Sequence, residues 1–137
     1  MKSLKFLILF VCVLCLSCEN IVDCIINRRP EIPDKSFDLG NIGYYYNEEL
    51  TSEIKNEPND NYYDYYYDVY GNLPDGLELY SDFRTASIEG FPEVSGSFTF
   101  TIHLSVDPPE YYDEDTQEWE DNLCSYSTSK EFTIIIN

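Results

Sequence analysis

The plainest pattern in the chain lies over residues 98–106. There Phe98, Phe100, Ile102, Leu104 and Val106 alternate with Thr99, Thr101, His103 and Ser105. A two-residue period puts the apolar set on one face of a strand and the polar set on the other. Residues 62–70 repeat the arrangement: Tyr63, Tyr65, Tyr67 and Val69 share one face, and Tyr62, Asp64, Tyr66, Asp68 and Tyr70 share the other. The aspartates mark that second face as the wet one. Phe132, Ile134 and Ile136 define a last strand, and shorter strands are expected within 43–54, 77–80 and 86–89. Turn formers separate them, at Pro58-Asn59-Asp60-Asn61, Pro74-Asp75-Gly76, Gly90-Phe91-Pro92 and Ser95-Gly96. Pro30 and Pro33 suit an extended start at a sheet edge. Residues 107–122 read as a long acidic loop. No stretch sustains a 3.6-residue apolar period, so the pattern predicts an all-β, antiparallel β-sandwich.

The first seventeen residues follow a different pattern. Lys2 and Lys5 flank the start of an apolar run that ends at Leu16-Ser17 and is too short to span a bilayer comfortably. Cys15-Leu16-Ser17-Cys18 resembles a lipobox, the signal-peptidase II motif of bacterial lipoproteins. The resemblance implies cleavage before Cys18 and a thioether link from that cysteine to diacylglycerol. Acyl chains would then hold the chain at a membrane, each buried methylene contributing ~0.8 kcal/mol. Glu19 follows the anchor; by the same resemblance, Asp in its place would retain the protein at the inner membrane. The expectation therefore leans towards the outer membrane of a bacterial cell envelope. The expected organisation is 1–17 lipoprotein signal peptide, 18–29 lipid-anchored tether and 30–137 sandwich domain, a length suited to one core.

That division also sorts the cysteines. Cys12 and Cys15 leave with the signal and Cys18 takes lipid, so Cys24 and Cys124 remain as one pair for an oxidising compartment. A Cys24–Cys124 disulfide would close a loop of about a hundred residues, for which chain entropy allows ~4–5 kcal/mol as an upper figure.

Charge narrows the choice of partners. With 26 acidic and 8 basic residues the formal net charge is −18, and losing Lys2 and Lys5 deepens it. Such a surface repels nucleic acid and anionic head groups, so no nucleic-acid partner is expected. It suits divalent cations or basic partners, and it also serves plain solubility. Asp113, Asp115 and Glu118 in the acidic loop are candidate Ca²⁺ ligands, being hard oxygen donors close in sequence. Their spacing lacks the glycine turn of an EF-hand, and a solvated loop is the competing reading. Tyr62, Tyr66 and Tyr70, with Tyr111, Tyr112 and Trp119, form a candidate binding surface, because amphipathic rings anchor protein and sugar contacts. The competing reading packs those rings under the loop. No catalytic residue is expected: His103 stands alone on a strand, and neither a nucleophile elbow nor a phosphate loop occurs.

Three segments taken together have a familiar order. They are Tyr67-Asp68-Val69-Tyr70-Gly71-Asn72-Leu73-Pro74-Asp75-Gly76-Leu77, Ile88-Glu89-Gly90-Phe91-Pro92, and Ser95-Gly96-Ser97-Phe98-Thr99-Phe100-Thr101-Ile102. With Phe132-Thr133-Ile134-Ile135-Ile136 they resemble the immunoglobulin-like (cadherin-like, dystroglycan-type) domain of bacterial surface proteins. The resemblance covers residues 30–137, implies an immunoglobulin-like sandwich and transfers no catalytic residue. The expected function is that of a membrane-anchored, non-catalytic surface lipoprotein acting as an adhesive or accessory binding module towards an envelope protein or glycan. The alternative is a structural or assembly subunit of a cell-envelope complex.

Overall fold

A computed structural model describes residues 24, 26–109, 111–113, 118–120 and 123–137. The expected signal segment and the lipidation site Cys18 lie outside them. The strands are β1 (Arg29–Glu31), β2 (Tyr46–Thr51), β3 (Glu53–Lys55), β4 (Asp64–Gly71), β5 (Leu77–Asp82), β6 (Thr85–Gly90), β7 (Gly96–Asp107), β8 (Tyr111–Asp113), β9 (Glu118–Glu120) and β10 (Ser127–Ile136). A single 3₁₀ turn, Asp60–Tyr62, is the one helical element among the described residues.

One sheet has the order β10-β7-β4 and the other β2-β6-β5, every pairing being antiparallel. β3 prolongs β2 past Ser52 and takes β1 as its own neighbour. Gly40 makes a parallel bridge to Ile136 of β10. The segment from β1 to Gly40 therefore touches both sheets in succession. Read in chain order, this is the ABED-against-GFC arrangement of an immunoglobulin-like sandwich of the constant type.

The core follows from the alternation. β7 contributes Phe100, Ile102, Leu104 and Val106, and β10 contributes Phe132, Ile134 and Ile136, all at most 5% exposed. They meet Tyr46, Leu50, Leu77, Ala86 and Ile88 of the opposite sheet in one apolar cluster. Each fully buried Leu or Ile stabilises the fold by roughly 1.5–3 kcal/mol relative to exposure.

Two of the turns lock into each other. Gly76, at φ +87°, and Gly90, at φ +143°, approach so closely that a Cβ on either would lie 2.1 Å from a backbone oxygen of the other turn. Phe91 N–H donates to the Gly76 carbonyl at 3.0 Å, and Glu93 N–H donates to Asp75 at 2.8 Å. The Leu-Pro-x-Gly and Ile-x-Gly-x-Pro segments are thus two halves of one backbone contact, which requires glycine in both.

A polar node closes the other end of the β2-β6-β5 sheet. Arg84 Nη2 lies 2.7 Å from Asp60 Oδ2, and Asp60 is 8% exposed. The same guanidinium donates to Asn61 Oδ1 at 3.0 Å and to the Ser52 carbonyl at 3.1 Å. Tyr65 Oη donates to the Asp60 carbonyl, and Tyr67 Oη donates to the Arg84 carbonyl at 2.6 Å. The acidic turn before β4 is therefore neutralised from within the chain, with Glu57 facing Arg28 at 3.4 Å.

Two expectations change. The acidic stretch 107–122 is not one open loop, since β8 and β9 pair as a short antiparallel ladder inside it. The last strand starts at Ser127, five residues before its apolar part, because the long β7 ladder recruits the polar segment 127–131. Cys24 and Cys124 are joined, with Cα atoms 5.4 Å apart, and Cys124 N–H also donates to the Arg28 carbonyl at 2.8 Å.

Candidate interaction surface

β4 is an edge strand whose inward residues Tyr65, Tyr67 and Val69 reach the core while Asp64, Tyr66, Asp68 and Tyr70 point outward. Tyr66 is 51% and Tyr70 58% exposed, and Tyr62, ending the 3₁₀ turn just before the strand, is 73% exposed. These three rings are therefore not core. An exposed phenol ring on a sheet face keeps a large apolar area in water unless something covers it.

The register fixes what lies beside them. Tyr66 is opposite Ser105, Asp68 opposite His103 and Tyr70 opposite Thr101 on β7. β10 adds Ser127, Ser129 and Glu131 in the same three rows. The outer face of the β10-β7-β4 sheet thus has a hydroxyl-rich centre with tyrosines along its β4 border. His103 Nδ1 is 2.8 Å from Ser129 Oγ, and its ring meets Tyr70 edge-on with centroids 6.1 Å apart. The histidine is held by its strand neighbours on both sides.

The outer face of the opposite sheet differs. Glu49, Glu78, Asp82 and Glu89 project there around Tyr80, forming a shallow depression of about 410 Å³ lined by Glu49, Tyr80, Asp82, Ser87 and Glu89 among others. Tyr80 Oη donates to Glu78 at 2.8 Å, and Tyr45 Oη donates to Glu89. Both phenols are held above the usual tyrosine range, chiefly because their protons sit in hydrogen bonds to carboxylates. Sequence reading did not single out this face, although Glu78, Tyr80 and Asp82 alternate visibly within β5.

The other residues picked from the sequence are not brought into this surface by any described contact. Tyr112 and Trp119 occupy opposite positions of the β8–β9 ladder, beside Tyr111 and Glu120, and their side chains lie outside the described set. The same holds for the candidate Ca²⁺ ligands: Asp113 and Glu118 are placed by backbone alone, and Asp115 is outside the described residues. Among the described residues no group of three or more His, Cys, Asp or Glu is placed to hold a metal ion. No described helix is long and apolar enough to cross a membrane.

No protein-family profile and no curated protein sequence matches the chain. Solved structures do. An endo-fucoidan hydrolase of glycoside hydrolase family 107 aligns over 82% of this chain and 14% of its own, at 19% identity and a TM-score of 0.52. A candidate α-galactosidase/melibiase from Bacteroides fragilis aligns over 85% of this chain and 19% of its own, at 18% identity and a TM-score of 0.48. Titin domain M7 aligns over 80% of this chain and 95% of its own, at 8% identity and a TM-score of 0.43. Identities this low speak to the fold alone. The chain spans only a small part of either glycosidase.

Proposed function

We propose that this protein is a non-catalytic accessory binding module, held at a bacterial cell envelope by acyl chains on Cys18. It presents the outer face of its β10-β7-β4 sheet to an envelope protein or glycan. The observation that carries this reading is the pair of exposed rings Tyr66 and Tyr70 on the β4 border of that face, with exposed Tyr62 in the turn just before the strand. Rings of this kind anchor contacts at low conformational cost. The hydroxyl-rich rows beside them supply hydrogen-bond donors and acceptors, with Asp68 and Glu131 as the charged groups among them. The lipobox-like segment supports the anchor and its orientation towards the outer membrane.

A second reading is favoured by a separate observation, the carboxylate-rich face around Tyr80. In that reading the protein is an assembly subunit that meets a basic partner through Glu49, Glu78, Asp82 and Glu89. The two readings part under salt. Screening beyond a Debye length of about 8 Å at physiological ionic strength weakens an ion-driven assembly far more than ring stacking.

The test has two parts. Mass spectrometry of the protein purified from its own membrane should find a mature chain beginning at acylated Cys18; an unlipidated chain starting elsewhere would remove the anchor. Glycan arrays and defined envelope fractions should then retain the wild type, and a Tyr62→Ala/Tyr66→Ala/Tyr70→Ala variant should lose that retention while staying folded. Equal retention by the variant would reject the tyrosine face as the binding surface.

A further inference from the structure

We propose that the free edge of β4 receives an extended segment of a partner protein carrying Lys or Arg at every second position, adding a strand to the sheet. This deepens the binding-module reading and rests on it. β4 pairs with β7 along one edge through all eight residues from Asp64 to Gly71. Among the described residues nothing pairs with its other edge. A strand edge left open offers a row of backbone donors and acceptors to a further strand.

The side chains on this edge specify what would fit. Outward, β4 shows Asp64, Tyr66, Asp68 and Tyr70, so carboxylate and ring alternate about 6.6 Å apart along the strand. A basic side chain opposite an aspartate sits at cross-strand pairing distance. One lying over a tyrosine ring falls within the ~6 Å reach of a cation–π contact. Each of the four outward positions therefore accepts a cation, at the two-residue repeat of an extended chain. Inward, the core is incompletely covered at this border. Tyr67 and Val69 on β4 and Leu79 on β5 are only partly buried while packing against it. The incoming strand's alternate residues would cover that flank.

Among the described residues, the chain's own cations form their ion pairs elsewhere, and Arg29 stands in register opposite Lys55 of β3, away from β4. Arg28, Lys35, Lys55, Arg84 and Lys130 face Glu57, Glu48, Glu31, Asp60 and Asp34 respectively. No ion pair among the described residues includes Asp64 or Asp68. A second copy of this chain is a poor occupant, because two β4 edges would bring aspartates of like-charged molecules together. Edge protection alone would explain the carboxylates but not the exposed rings between them.

The probe is a blocked eight-residue peptide alternating Thr and Arg, titrated into the full chain. A block peptide of the same composition and a version N-methylated at alternate backbone amides serve as controls. Hydrogen exchange of residues 64–71 reports where it binds. The alternating peptide should bind at least about tenfold more tightly than either control and slow alternate β4 amides. Asp64→Asn with Asp68→Asn should weaken it by about five- to tenfold, whereas Glu78→Gln with Asp82→Asn on β5 should change it less than about twofold. Equal affinity for the block peptide, unprotected β4 amides, or protection of those amides by self-association would each overturn the proposal. If envelope retention depends on Tyr62, Tyr66 and Tyr70 while no peptide ever protects β4, the module reading survives and the strand-addition proposal falls.

Discussion

The two outer faces of the sandwich are built on the same kind of strand and use their tyrosines differently. On the β10-β7-β4 face the tyrosines border rows of serine and threonine, and Tyr62, Tyr66 and Tyr70 stand well into solvent. On the β2-β6-β5 face the exposed phenols are already engaged, Tyr45 with Glu89 and Tyr80 with Glu78. A ring whose hydroxyl is committed to a neighbouring carboxylate has less to offer a partner. The comparison shows that counting exposed tyrosines does not locate a binding face; what their neighbours do with them does.

The largest expected effect removes what the faces share. Cys24 precedes β1 on one sheet and Cys124 precedes β10 on the other, so Cys24→Ser with Cys124→Ser loosens both faces together. Denaturant unfolding should show a loss of about 4 kcal/mol, and a negligible change would mean the thiols are unpaired in the native protein. Next come the cores behind each face. Leu104→Ala under the tyrosine face and Ile88→Ala under the acidic one should each cost about 3 kcal/mol. A markedly smaller value for one would show that its sheet relaxes around the cavity.

Arg84→Met acts on one end only. It leaves the nearly buried Asp60 without its guanidinium and should cost about 2 kcal/mol, a figure moderated by the partial exposure of the pair. Tyr66→Ala and Tyr70→Ala should each move stability by less than about 0.5 kcal/mol, so any lost retention reports the surface itself. A stability loss several times larger would assign those rings a packing role.

The smallest effect separates the faces by pH. Tyr45 and Tyr80 titrate above the ordinary phenol value of 10.0, because their protons are donated to carboxylates. Their folded pKa is raised, so the contribution of these hydrogen bonds is intact below pH 10.0 and fades as pH rises through the folded values. Ultraviolet titration of the Glu78→Gln and Glu89→Gln variants should bring these two ionisations back towards lower pH. No movement would disprove the hydrogen bonds.

Much of this was legible in the sequence, and the exceptions have physical causes. Alternation over 98–106 and 62–70 gave β7 and β4 with the correct inward faces, and it put Tyr62, Tyr66 and Tyr70 on the wet side. It could not give the first half of β10, where the inward positions are Thr128 and Lys130 and carry no apolar signal. There the strand exists because β7 continues alongside it. Nor could it give the β8–β9 ladder, whose backbone pairing lies in a carboxylate-rich stretch without apolar period. The Ser52–Asp60–Arg84 node joins residues far apart in sequence, so no local pattern announces it. The open edge of β4 was equally invisible: which strand is left unpaired is a property of the sheet order, not of residues 64–71 alone.

The link between Cys24 and Cys124 also has a mechanical meaning. Tension arriving at Cys24 from the N-terminal side divides there. One branch runs through β1 and β2 towards β4, and the other crosses the sulfurs and returns through β7. A partner gripping β4 would therefore be hauled along two covalent arms at once, and the short β1–β3 ladder could not be peeled open by itself. Extension would be limited by the closed loop, and the shear would fall on the long β4–β7 seam instead. Were the chain held at Cys18, as proposed, a domain wired this way would resist a pull applied from that end.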